Sequence, residues 1–320
     1  MNAKKINWLF AAIIGCDILA VIAIAFLAEY KELNIDTIPA LLLSQAMLFV
    51  PALLFLAGTR TKPTDLIAIQ KPKWITSLLV IVITYLCMPL IVTVNAVSML
   101  FVENEVTNLQ PLLQGVPAWQ VVLMIGIIGP LSEEFVFRGG IYHGYRRSGR
   151  LIAAMLLSSV LFGLMHLNFN QMSYAILVGV IGVLLIEGTG NFFYSFLFHV
   201  CINVTNVIQI VMQDPETSSM DAQQTQQMVE TVMNMPFRQA MCIVIAVYAV
   251  IACFTTTIAG CLYYLILKRE GRVGHIRLMF SRQGNVGVTE EGRKMWSWPL
   301  VLSILVCLVY MTADLVVRLQ

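Results

Sequence analysis

Charged side chains are scarce in this 320-residue chain: Asp, Glu, Lys and Arg make up 12% of it, against about 25% in soluble domains. So few cannot coat an ordinary globular surface, which excludes a soluble enzyme. A net charge of +2 is too small to suggest a polyanionic partner, so no nucleic acid is expected. A hydrophobic share of 58% excludes a disordered chain. The seven cysteines are odd in number, form no CxxC pair and all lie inside apolar runs. Neither a disulfide framework nor a zinc ribbon is encoded, and the thiols read as small buried hydrophobes. An inverted internal repeat, expected of many transporters, is also missing.

What the chain does have is apolar sequence in runs near 20 residues, the length that crosses a bilayer as helix, with a mean hydropathy of +0.81. The fold class is an all-α polytopic membrane bundle in a single integral membrane domain over 1–320. Nine helices are expected, at 8–28, 38–58, 75–101, 118–144, 151–168, 172–186, 191–212, 239–267 and 299–317, with eight spans as the alternative count. Pro89 predicts a kink or strong tilt in the third. Lys4 and Lys5 ahead of an apolar run resemble a signal peptide. The run is longer than such a peptide's core, contains Asp17, and puts Phe26 at the −3 position of a cut after Ala28. An uncleaved first span is expected.

The basic residues set orientation, since cytoplasmic loops are enriched in Lys and Arg. With the N-terminus cytoplasmic, Arg60, Lys62, Lys71, Lys73, Arg146, Arg147, Arg150 and the basic loop at 268–298 all fall inside. Only Lys31, Arg238 and Arg318 fall outside. The outer loop at 213–237 carries Met228, Val229, Val232 and Met233 at helical spacing, which predicts a short interfacial helix. Short loops suit the inner membrane of a bacterium.

Ionisable groups inside spans cost roughly 2.5–3.5 kcal/mol each on insertion scales, so they need a partner or a task. They concentrate in one region: Glu133, Glu134, Arg138, His166 and His199, with Asn203 beside them. Glu134 and Arg138 are spaced i, i+4 and can pair on one helix face. Glu133 is turned about 100° away with no basic residue at that spacing. One carboxylate is therefore neutralised, while the other is free to act as a base. Phe162 and His166 share a face, and Gly163 between them permits close helix approach. Ser195, His199 and Asn203 form a polar stripe at i, i+4 and i+8 on an apolar helix. His143 and His275 lie near cytoplasmic ends and are expected to be solvated.

The set Glu-Glu-x-x-x-Arg (133–138), Phe-x-x-x-His (162–166) and His-x-x-x-Asn (199–203) resembles the CPBP family of intramembrane proteases. That family includes the type II CAAX prenyl endopeptidases and bacteriocin-processing or immunity proteins. The Gly188-Thr189-Gly190-Asn191 turn is similar to the family's Thr-Gly turn, although Glu187 stands in a loop where relatives often carry arginine. The resemblance covers about 118–210 and makes that segment the catalytic core. It implies that Glu133 activates water, that His166 helps hold it, and that His199 and Asn203 stabilise the oxyanion. Glu134 and Arg138 would support the site from behind. The substrate implied is a peptide or protein within the bilayer, and no cofactor is required. Glu133, His166 and His199 also form a two-His, one-carboxylate set that suits Zn²⁺ with an open position for water. Two rival readings remain: a non-proteolytic bacteriocin-immunity or binding protein on the same scaffold, and a transporter relaying protons through the same side chains. A shared site further requires the 188–190 turn to lie below the lipid headgroups.

Overall fold

With no water in the hydrocarbon to satisfy an open backbone, each apolar run closes its hydrogen bonds within itself as a helix. A computed structural model describes residues 3–31, 36–62, 64, 67–68, 70–105, 110–113, 115–212, 222–281 and 295–318. Its helices are α1 (Ala3–Lys31), α2 (Thr37–Thr59), α3 (Trp74–Ser98), α4 (Ala118–Arg146), α5 (Leu151–Leu164), α6 (Phe169–Thr189), α7 (Phe192–Val211), α8 (Ala222–Met233), α9 (Phe237–Arg269), α10 (Val273–Met279) and α11 (Trp298–Arg318). Eight of them are long and apolar enough to cross a bilayer. The exception among the nine expected spans is α5, whose 14 residues rise only ~21 Å against a hydrocarbon core of about 30 Å.

α3 packs along α9, α6 along α5 and α3, and α1 against α2 and α11. Leu54, Val250, Phe254 and Val309 face outward, as lipid-facing side chains do. Phe10, Phe137, Phe162 and Phe198 fill the interior. The expected helix in the 213–237 loop is α8, which includes Met228, Val229, Val232 and Met233; residues 213–221 lie outside the described residues. The basic 268–298 segment is not loop throughout. It contains α10, which packs on α6 and buries Met279, while 282–294 lie outside the described residues.

Local irregularities position the site. α4 carries two π-helical stretches, Val122–Ile128 and Phe135–Tyr142. In the first, the Gly129 N–H reaches five residues back to the Met124 carbonyl. The next residue, Pro130, has no N–H to continue that pattern, so the Ile125 carbonyl is left for a side chain. Asn203 Nδ2 on α7 donates to it at 3.2 Å. α5 stops short because Leu167 turns the chain at φ 51°. Asn168 then caps α6, accepting from the Gln171 N–H at 3.0 Å. The α6–α7 turn, with Gly190 at φ 72°, is strapped to the α2–α3 loop. Asn191 Nδ2 donates to the Gln70 carbonyl at 2.9 Å, and the Phe192 N–H donates to Ala68 at 3.0 Å.

Candidate active site

The centre of the site is Glu134, which is fully buried. Burying an ionised carboxylate is tolerable only with several partners, and Glu134 has three. Ser195 Oγ donates to it at 2.6 Å, His199 Nδ1 lies at 3.0 Å, and Arg138 Nη1 lies at 3.1 Å. The i, i+4 pair with Arg138 is thus present, and the α7 stripe supplies the other two groups. Arg138 is itself only 3% exposed. Its guanidinium lies over the Phe162 ring, 4.2 Å from the centroid, a contact worth about 2 kcal/mol or more when desolvated. Gly182 makes room for this cluster: a Cβ there would meet Ser195 Oγ at 2.6 Å and Arg138 Nε at 3.3 Å.

Glu133 turns away from its neighbour, as the helical angle requires, and its side chain keeps 16% exposure. It does find a basic neighbour, although not along its own helix: Oε2 lies 3.6 Å from His199 Nε2. The two adjacent carboxylates therefore face the two nitrogens of one imidazole. Glu134, an acceptor only, takes the Nδ1 hydrogen, which directs Nε2 to the Glu133 side. His166 Nδ1 sits 2.9 Å from the Phe162 carbonyl. A carbonyl can only accept, so His166 carries its hydrogen on Nδ1 and keeps Nε2 as an acceptor. Phe162 meets both imidazoles edge-on, at 5.2 Å to His166 and 5.7 Å to His199. Asn203 lies on the same α4–α7 seam and commits one amide hydrogen to Ile125.

Among the described residues, no three His, Cys, Asp or Glu side chains are disposed to share a metal ion. Within the Glu133–His166–His199 set, His199 directs Nδ1 to Glu134 and His166 directs Nδ1 to the Phe162 carbonyl, which leaves the Nε2 of each ring to act as acceptor or ligand.

Sequence reasoning missed several residues. Ser195 belonged to the noted stripe, but its bond to Glu134 joins residues 61 apart. Gln45 on α2 accepts from Ser132 Oγ at 2.6 Å, bracing α4 just before the two glutamates. Nor is His275 solvated: its Nε2 lies 2.5 Å from Glu187 Oε2. Glu187 is 1% exposed and also accepts from Tyr142 OH at 2.9 Å and Arg146 Nη2 at 3.1 Å. The signal was available, since Glu187 is a carboxylate in the last turn of α6, at the cation-rich end of the bundle. The turn beside it is drawn into the bundle, with Gly188 and Thr189 buried.

Residues 115–205 match the family described as "Type II CAAX prenyl endopeptidase Rce1-like". Over 126 residues the chain is 25% identical to a Bacillus subtilis (strain 168) protein whose description reads "Putative membrane peptidase YdiL". That match covers 39% of this chain and 51% of the relative, so the chain spans about half of the relative's length. No solved structure matches. The matched segment holds all three motifs, Glu133 to Arg138, Phe162 to His166 and His199 to Asn203.

Proposed function

We propose that this integral membrane protein is an endopeptidase that hydrolyses a peptide bond of a membrane-associated peptide or protein, with 118–210 as its catalytic core. The observation that carries the reading is the division of labour around His199. Glu134 holds Nδ1 from a fully buried position, while the partly exposed Glu133 stands beside Nε2. Glu133 takes a proton from the attacking water, whose oxygen bonds to the scissile carbonyl carbon. His166 Nε2 accepts the water's second hydrogen and so orients it. As the carbonyl oxygen gains charge, the remaining Asn203 N–H and a protonated His199 Nε2 are the donors for it. Glu133 then passes its proton to the leaving amine as the C–N bond breaks. The products are a carboxyl and an amino terminus.

The test is cleavage of a membrane-peptide library by the purified full-length protein, wild type beside Glu133→Gln. Wild-type activity with loss of at least about 100-fold in the variant is expected for removal of a general base. Cleavage that survives the substitution refutes the mechanism. A wild-type protein that binds but never cuts supports a binding role on this scaffold. Chelator treatment of the active protein decides whether a metal takes part.

A further inference from the structure

Arg138 presents a second problem besides its pairing with Glu134. None of its three guanidinium nitrogens has a hydrogen bond of good geometry among the described residues, although the group is almost fully buried. A guanidinium brings five donors, and each buried donor left unmet costs about 1–3 kcal/mol. Arg138 also lines a cavity of about 280 Å³ at the cation-rich end of the bundle. Arg146, Arg272, His143 and Thr64 line the same cavity. Its one carboxylate among the described residues, Glu187, is already occupied by Tyr142, Arg146, Arg272 and His275. Three guanidiniums thus meet in a space whose one carboxylate among the described residues is satisfied.

We propose that this cavity is a binding site for a small tetrahedral oxyanion of the phosphate class, held by Arg138, Arg146 and Arg272. The volume lies just below the range of drug-sized ligand sites, about 300 to 1,000 Å³; it suits a phosphate group and excludes a nucleotide or a folded peptide. Planar guanidinium forks match phosphate oxygens two at a time, and an anion with three or more acceptor oxygens meets three forks better than a two-oxygen carboxylate does. The phosphate is either free in solution or the headgroup of an anionic phospholipid, since this end of the bundle carries the cationic loops. Arg138 reaches Glu134 on its other side, so occupancy bears on His199. That consequence rests on the peptidase reading; the binding does not.

The experiment uses the full-length protein in phosphate-free maltoside detergent. Sodium phosphate is titrated against sodium chloride of matched ionic strength, and thermal unfolding is followed. Binding to the native state alone gives a Tm that climbs with the logarithm of phosphate above the dissociation constant. Two variants accompany the wild type. Thr64→Glu puts a carboxylate into the cavity from an exposed position, and Arg272→Gln removes one fork. Each is expected to weaken phosphate binding about tenfold or more, through one lost or opposed charge-assisted contact. In a second arm, nanodiscs of phosphatidylcholine are compared with nanodiscs containing phosphatidic acid. Stabilisation by phosphatidic acid that Thr64→Glu abolishes, with no response to phosphate, identifies the lipid headgroup as the source. A response to neither, or one that Thr64→Glu leaves intact, overturns the site. Glu133→Gln is carried through the same titration: a phosphate response in that variant stands whether or not the protein cleaves peptides.

Discussion

Gly182 is the position where the packing of the site can be tested most sharply. In Gly182→Ala the added Cβ would lie 2.6 Å from Ser195 Oγ, well inside van der Waals contact. Ser195 cannot swing aside freely, because it is fully buried and its hydroxyl is bound to Glu134 at 2.6 Å. Two costs compete with one gain. Overpacking costs about 1–3 kcal/mol, and a lost hydrogen bond to a charged group costs about 1.5–3 kcal/mol. The helix gains up to about 1 kcal/mol when glycine becomes alanine. The costs win, so the single variant is expected to lose about 1.5–5 kcal/mol. Ser195→Ala alone should lose about 1.5–3 kcal/mol through the bond. Combined, the two changes remove the clash and forfeit the bond once, so the double variant should resemble Ser195→Ala alone. The coupling expected from such a cycle equals the Gly182→Ala loss, at least about 1.5 kcal/mol, or roughly 10-fold or more in the unfolding equilibrium. Reversible unfolding in mixed micelles, followed by intrinsic tryptophan fluorescence, measures all four proteins. A neutral Gly182→Ala, or losses that add, would falsify the packing of α6 against the Glu134 cluster.

Other consequences can be checked in the same preparation. Asn203→Leu strips the Ile125 carbonyl of its donor, and a loss of about 1–3 kcal/mol is expected; Asn203→Gln, one methylene longer, should not restore it. Glu187→Gln leaves Arg146 and Arg272 without their shared carboxylate. Because both arginines keep contact with solvent, the loss should be about 1–3 kcal/mol, below the ~3–5 kcal/mol for breaking a fully buried pair. At the end of α9, burial raises the Glu270 carboxyl, but hydrogen bonds from Lys73 and Thr76 and the charges of Lys73 and Arg269 outweigh it and hold the group below its ordinary 4.5. A carboxyl depressed in the folded state stabilises fully above that ordinary value, and the contribution fades as pH falls through the folded one. Unfolding midpoints measured from pH 6 down to pH 3 should therefore fall less steeply in Lys73→Met than in the wild type; parallel curves refute the assignment.

Much of this was legible in the chain, for reasons that can be named. Apolar runs fix helices in lipid whatever their neighbours, so α1–α4, α6, α7, α9 and α11 were readable. The Glu134–Arg138 pair was readable because both residues lie on one helix, where spacing dictates contact. α5 was misjudged because Met165 and Leu167 continue its hydropathy; the stop is conformational, set by Leu167 and the Asn168 cap. The π-helical stretches of α4 are a matter of hydrogen-bond register, which composition does not encode, although Pro130 marked where that register had to fail. Contacts between Glu133 and His199, or Glu187 and His275, join residues 66 and more apart, and only the packed bundle brings them together. On α11, Arg318 pairs with Asp314 at 2.9 Å one turn back, a contact that the i, i+4 spacing alone could have indicated.

The shortness of α5 has a consequence for how its end is held. A helix of 14 residues rises ~21 Å against about 30 Å of hydrocarbon, and lipid offers its last carbonyls no hydrogen bonds. The protein supplies them: His166 Nδ1 meets the Phe162 carbonyl, and the His166 and Leu167 N–H groups donate to the Gly163 and Leu164 carbonyls. The ring of His166 thereby closes the end of α5, so its orientation is set by the same truncation that shortens the helix.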